Sequence, residues 1–196
     1  MTRPVVLGLT GSIGMGKSTT AAMFAEAGVP VWNADAAVHG LYAHGGAAVA
    51  PICAAFPAAV RDGAVDRGAL KALLAGDKQA LSRLESIVHP LVASSRAAFV
   101  AAHKAAPLIV LDVPLLFETG ADSACDATLV VTTTPEAQRA RVLARPDMTE
   151  SHLAMVLARQ MPDAEKRARA TYIIETRSLE QTRAAVQDLI AKLRSP

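Results

Sequence analysis

An α/β fold is predicted for this chain: a parallel sheet covered by helices on both faces. Three observations predict it. Several short runs, among them Val5-Val6-Leu7-Gly8-Leu9 and Leu108-Ile109-Val110-Leu111, are apolar at nearly every position rather than at alternate ones, as strands buried on both faces require. Ala- and Leu-rich helical stretches lie between these runs, the alternation that generates parallel strands. Finally, Gly11-Ser12-Ile13-Gly14-Met15-Gly16-Lys17-Ser18 joins the first apolar run to the first helical stretch and fits G-x-x-x-x-G-K-[ST]. Such a loop turns its backbone N–H groups toward a di- or triphosphate at a helix N-terminus.

The elements follow in order. After the first strand and the loop comes a helix over 18–27, closed by Gly28 in the position just past its end. Further strands are expected at 29–32, 108–113, 127–132 and 172–174. Residues 36–103 carry no strong strand signal and are expected to form helices over 36–44, 47–56, 67–75, 78–88 and 90–103, with Pro90 in the first turn of the last. One βαβ crossover needs a single helix, so this span is expected to be an inserted helical subdomain at the carboxyl edge of the sheet. A second, charged helical insertion runs over about 138–169, with Arg139, Arg141, Arg145, Arg159, Lys166, Arg167 and Arg169. Thr134-Pro135-Glu136 supplies a capping hydroxyl, a first-turn proline and an acid at the positive end of a helix. Ser178-Leu179-Glu180-Gln181 has capping-box spacing and opens a last helix to about Leu193.

Composition narrows the class. With 196 residues and 52% hydrophobic content the chain suits one core with appended subdomains. A net charge of +2 is too mild to argue for nucleic acid, and 4% aromatics leave few stacking platforms for it. Cys53 and Cys125 have no metal-ligand spacing and are expected to be small packed hydrophobes in a reducing compartment. No export signal is expected at Met1-Thr2-Arg3-Pro4, and no apolar run is long enough to cross a membrane.

Within this frame a few side chains carry chemistry. Lys17 brings a mobile charge to the β/γ oxygens of a nucleotide and the Ser18 hydroxyl can ligate Mg²⁺. Gly11, Gly14, Met15, Gly16 and Thr19 complete the phosphate-binding loop and its first helical turn. Asp35 follows the second strand, where residues face the ligand crevice of an open α/β sheet. It can serve as the base for an attacking hydroxyl or cap the helix beginning near Ala36, and the residues leave both open. Asp112 ends the third strand, the usual place for the acid that holds the Mg²⁺ shell. Glu118 suits an acceptor substrate or a helix cap. Arg141 and Arg145, at i, i+4, share a helical face and can stabilise a transferring phosphoryl group or be a solvated basic face. His89 reads as a structural histidine from its own surroundings. There is no Asn/Thr-Lys-x-Asp and no Leu-Ser-Gly-Gly-Gln, which counts against a GTPase switch and a transport ATPase, and no His-Arg-Asp or Asp-Phe-Gly, which excludes protein-kinase catalysis. A small-molecule kinase remains.

The motifs resemble those of the dephospho-CoA kinase family over essentially the whole chain. The resemblance rests on Leu9 to Thr19, Asn33-Ala34-Asp35-Ala36, Ile87-Val88-His89-Pro90-Leu91-Val92, Asp112-Val113-Pro114-Leu115-Leu116-Phe117-Glu118, and Arg141 to Arg145 with Gln160. It implies a P-loop NTPase-type core of residues 1–35, 104–137 and 170–196, a helical CoA-binding subdomain of 36–103 and a helical lid of 138–169. It implies that ATP, with Mg²⁺, phosphorylates the ribose 3′-hydroxyl of dephospho-CoA in the last step of coenzyme A synthesis. Asp35 matches the family's base, Arg141 and Arg145 its lid arginines, and His89 and Glu118 become candidates for the acceptor side. A cytoplasmic monomer with no nucleic-acid, membrane or obligate protein partner is expected. Alternatives are a nucleoside monophosphate kinase or a nucleotide-gated regulatory module. The chain departs from the family pattern in Asn33 for an outer Asp, in Ser12 and Met15 at variable loop positions, and in Thr171 and Thr176 near the last strand.

Overall fold

The structure, a computed structural model, describes residues 3–194. They form two compact units: one combines the residues up to Trp32 with those from His103 onward, and the other is Asn33–Ala102.

The first unit is built on a five-stranded sheet of β1 (Val5–Thr10), β2 (Val31–Asn33), β5 (Leu108–Asp112), β6 (Ala127–Thr132) and β7 (Tyr172–Glu175), in the order β2-β5-β1-β6-β7. Central β1 runs parallel to β5 and β6, and β6 parallel to β7. Continuous apolar sequence is what a doubly covered strand needs, and every residue of β5 and β6 is buried. Helix α1 (Lys17–Glu26) and the last helix α9 (Leu179–Arg194) pack on this sheet: Met23, Phe24, Val186, Leu189 and Ile190 join Leu7, Leu9, Leu129 and Val131 in one core. Removing a fully buried side chain such as Phe24 from water contributes about 1.5–3 kcal/mol. Between β6 and β7 lie α6 (Pro135–Leu143), α7 (Glu150–Leu157) and α8 (Asp163–Arg169).

The expected helix ends are present in detail. Past α1, Gly28 N–H donates to Ala25 O and Val29 N–H to Phe24 O, the paired bonds of a Schellman motif. Thr134 and Ser178 accept from the backbone N–H three residues on, Ala137 and Gln181.

The second unit has its own core of Ala48, Ile52, Ala59, Val65, Leu70, Leu84 and Val88. It comprises α2 (Ala34–Tyr42), α3 (Val49–Ala55), a two-stranded hairpin of β3 (Val60–Arg61) and β4 (Ala64–Val65), α4 (Arg67–Leu74) and α5 (Lys78–Ala102). Two expectations are corrected here. The helices expected over 78–88 and 90–103 are a single helix of 25 residues with Pro90 inside it. Pro90 has no N–H for the Ser86 carbonyl, which costs about 3 kcal/mol in a helix interior. The apolar face nevertheless runs straight through it: Leu84, Ile87, Val88, Leu91 and Val92 all pack on the same core. That continuous burial keeps the helix in one piece. The hairpin was not expected at all. Asp62 and Gly63 both take positive φ, 48° and 73°, as a tight I′-type turn needs.

Cys125 is half-buried beside Gly8, but Cys53 is exposed on α3, so only the former is a packed residue. On α3 the buried position is its neighbour Ile52. Among the described residues no helix is long and apolar enough to cross a membrane.

Candidate active site

The loop between β1 and α1 is shaped by close approach. Gly14 and Gly16 take φ of 79° and 90°. A Cβ on Gly14 would fall 2.6 Å from Val142 Cγ2, and one on Gly16 would fall 3.1 Å from the Thr176 side chain. Any larger residue at either place strains the backbone and displaces a neighbour. Gly16 is also the N-cap of α1, and no acidic residue stands in that helix's first turn, so the positive end of its dipole is unopposed by a carboxylate there.

Lys17 and Asp112 meet at this point. Leu9 of β1 is in register with Asp112 of β5, so the loop leaves the sheet beside that carboxylate. Lys17 Nζ donates to Asp112 Oδ1 at 2.5 Å; the Asp112 side chain is 1% exposed and that of Lys17 13%. A carboxylate this deep needs a cation, and removing one partner of such a pair strands the other. Ser18 is exposed on the first turn. Among the described residues no group of three or more His, Cys, Asp and Glu could hold a metal ion. A hydroxyl and one carboxylate are nonetheless hard oxygen donors, and Mg²⁺ keeps several waters and takes the rest of its shell from nucleotide phosphates, so Ser18 and Asp112 fit it.

Behind the loop stands Thr176, just past β7 and 5% exposed. Its Oγ1 donates to Met15 O at 2.9 Å, its N–H donates to Thr132 O at 2.8 Å, and its side chain touches Gly16. Arg141 donates to Thr176 twice, from Nη1 to Oγ1 at 2.8 Å and from Nη2 to the carbonyl oxygen at 2.6 Å. Met15 itself is core: it is 3% exposed and its Sδ accepts from Thr133 N–H. Gly14, Gly16, Thr19, Arg141, Arg145 and Thr176 line an open cavity of about 440 Å³ together with Arg177, Ser178, Leu179 and Thr182. Leu179, one of the lining residues, is a large apolar side chain left 69% exposed. Three arginines against a loop of N–H groups make this a receptor for a polyanion. Thr176 was noted from sequence only as a departure from the family pattern, and Arg177 and Leu179 were given no role at a site. The signal was available: they follow the carboxyl end of the last parallel strand, the place that pointed to Asp35 and Asp112.

Glu118 has a different surrounding from the substrate contact expected of it. Its Oε1 accepts from Lys166 Nζ at 2.9 Å and from Met161 N–H at 2.8 Å. Lys166 is fully buried. Burial pushes the Glu118 carboxyl up, but the hydrogen bonds from Lys166 and Met161 outweigh it and hold the group below the usual carboxylate range.

Asp35 and His89 belong to the second unit. Asn33 Oδ1 accepts from Ala36 N–H at 2.8 Å and is the N-cap of α2. Asp35 sits in the first turn, exposed, and is therefore not the cap. His89 is exposed on α5.

The family model for dephospho-CoA kinase matches residues 5–181. The chain is 66% identical over 187 residues to the dephospho-CoA kinase of Jannaschia sp. (strain CCS1), covering 95% of this chain and 96% of the relative. It is 62% identical to that of Cereibacter sphaeroides, covering 98% and 97%. Among solved structures, a Thermus thermophilus protein is similar with a TM-score of 0.84 at 36% identity, covering 98% of this chain and 99% of that one. A Campylobacter jejuni dephospho-CoA kinase shares the fold with a TM-score of 0.67 at 21% identity, covering 96% of each. The P-loop, the site around it and these similarities lead to one assignment: the chain belongs to the dephospho-CoA kinase family.

Proposed function

We propose that the chain transfers the γ-phosphate of ATP to the ribose 3′-hydroxyl of dephospho-CoA, and that it does so in the cytoplasm. The observation that carries the transfer is the Lys17–Asp112 pair at the foot of a phosphate loop. Lys17 is the mobile cation of the loop, and a bound triphosphate offers it phosphate oxygens in place of part of its carboxylate contact. Ser18 and Asp112 would hold Mg²⁺, which neutralises charge on the β- and γ-phosphates when bound. The cavity lined by Arg145, Arg177 and Leu179 takes the remainder of the nucleotide, with Leu179 offering an apolar face to the base.

Asp35 accepts the proton of the 3′-hydroxyl and orients its oxygen for in-line attack. Its place in the first turn of α2 supports this, because Asn33 already performs the capping that would otherwise occupy a carboxylate. Arg145, exposed and lining the cavity, is the arginine suited to the transferring phosphoryl group. Arg141 serves the same end from behind, through Thr176. His89 is assigned to the acceptor side. Glu118 acts on the site through Lys166 and Met161 rather than by touching the acceptor.

The test is ADP release measured with three acceptors in parallel: dephospho-CoA, nucleoside monophosphates, and none. Turnover that depends on dephospho-CoA is the expected result. Turnover with a nucleoside monophosphate alone, or hydrolysis independent of acceptor, overturns the assignment in favour of another kinase or a gated module.

A further inference from the structure

Two side chains remain that the chemistry above does not use, and both grip the phosphate loop at Ile13. The Ile13 N–H donates to Gln160 Oε1 at 3.1 Å, and the Ile13 carbonyl accepts from Gln138 Nε2 at 2.7 Å. The two bonds belong to successive peptide units. In the Ser12–Ile13 unit the N–H goes to Gln160 and the Ser12 carbonyl accepts from Met15 N–H at 3.1 Å. In the Ile13–Gly14 unit the carbonyl goes to Gln138. Peptide bonds of the described chain are trans, so N–H and C=O of one unit point in opposite directions. Fixing the Ile13 carbonyl on α6 therefore fixes the Gly14 N–H away from α6. Gly14 lines the nucleotide cavity.

The grips come from different segments and each is braced. Gln138 lies on α6 and is 8% exposed, with the loop pressed so closely on that helix that a Cβ at Gly14 would sit 3.0 Å from Gln138 O. Gln160 lies past the end of α7, its own N–H on Leu157 O at 3.1 Å. Its neighbour Met161 is tied to Glu118, which holds buried Lys166. An amide is the side chain suited to each place: Gln138 must donate to a carbonyl, and Gln160 must accept from an N–H without bringing a negative charge to a polyanion site.

We infer that Gln138 and Gln160 are a clamp that sets the direction of the Gly14 N–H, and so are positioning residues for the triphosphate. A phosphate loop must present N–H groups to its ligand; a glycine-bounded peptide that rotates turns a carbonyl dipole on the anion instead. The clamp blocks that rotation. It rests on the loop being the ATP site.

The test is steady-state kinetics of the full chain carrying Gln138→Met, Gln160→Met or both, substitutions that keep length and volume but remove the polar contacts. KM for ATP rises roughly tenfold in each single variant, the effect of about one hydrogen bond. KM for dephospho-CoA stays within about twofold and Tm within about 3 °C. The double variant falls well short of the product of the two, because one released peptide no longer needs the other hold. An unchanged KM for ATP in both single variants overturns the inference, as does a parallel rise in both KM values with a falling Tm. If Gln138→Met does not fold, the half-buried Gln160→Met decides by the same split. If the wild type turns over no ATP, the assigned function fails, and the clamp is judged by amide exchange over residues 11–16: faster exchange in Gln160→Met supports it and unchanged exchange overturns it.

Discussion

At the scale of single residues, the division of labour at the end of β2 decides how Asp35 is read. Sequence left it as base or cap. The side-chain oxygen of Asn33 takes the Ala36 N–H, so capping is already done two residues earlier by an amide. Asp35, exposed in the first turn, is thus left with a favourable place near the positive end of the α2 dipole and a carboxylate open to a further partner. Asp35→Asn is expected to lower kcat by ~10²–10⁴-fold, the usual contribution of a positioned base, with ATP affinity and Tm nearly unchanged. Rapid-quench or coupled turnover against ATP binding by calorimetry checks it; near wild-type turnover removes Asp35 from the mechanism. The motif positions Gly14, Gly16, Lys17 and Asp112 were legible because each is forced by one interaction with a fixed spacing. Thr176 and Gln160 were visible as positions in the family pattern, but their contacts were not, because each depends on a partner more than a hundred residues away in sequence, Met15 and Ile13.

At the scale of elements, hydrophobic continuity was the reliable signal and punctuation the unreliable one. The buried strands β5 and β6 appear where unbroken apolar runs placed them, because a strand covered on both faces has no other way to be written. Pro90 has the sequence setting of a helix start, yet it lies inside a helix. Local backbone chemistry argued for a break; five apolar residues facing one core argued against it and prevailed. The β3–β4 hairpin was missed for the opposite reason. Its strands are two residues each, too short for any periodicity, and only the Asp62-Gly63 dipeptide announced it. The cost at Pro90 is measurable. Pro90→Ala restores the N–H for Ser86 and relieves the clash of the ring with the preceding turn, so the second unit is expected to gain about 1–3 kcal/mol. KM for dephospho-CoA is expected to rise with KM for ATP unchanged, because Pro90 adjoins His89 and the substitution changes the backbone there. A thermal or urea melt with parallel kinetics checks both; a loss of stability would mean that the proline ring is itself required for packing.

At the scale of the whole molecule, each unit carries its own core, and charge is handled in the first by pairing buried groups rather than by excluding them. Lys166 is fully buried and its ion-pair partner is Glu118; Asp112 is nearly as deep and holds Lys17. Such pairs make stability depend on pH in a direction that can be worked out. Glu118 has its folded-state carboxyl held below the ordinary value, as does Asp126, first by the hydrogen bond from Arg3 and then by Val6 N–H. A depressed carboxylate binds protons more weakly when folded than when unfolded. Its stabilisation is therefore complete above the unfolded value, near 4.3 for Glu, and is lost as pH falls from there through the lower folded value. Glu118→Gln removes the charge at every pH and leaves Lys166 without its counter-ion. The variant is expected to be less stable than wild type by about 3 kcal/mol at neutral pH. Below pH ~4.3 the wild type loses the same interaction by protonation, so the two curves converge there. Urea unfolding at several pH values between about 3 and 7 reads this directly. A gap that stays constant into acid would show that Glu118 stabilises by packing alone, whereas convergence identifies the ion pair with Lys166 as what fastens the segment carrying Gln160 to the rest of its unit.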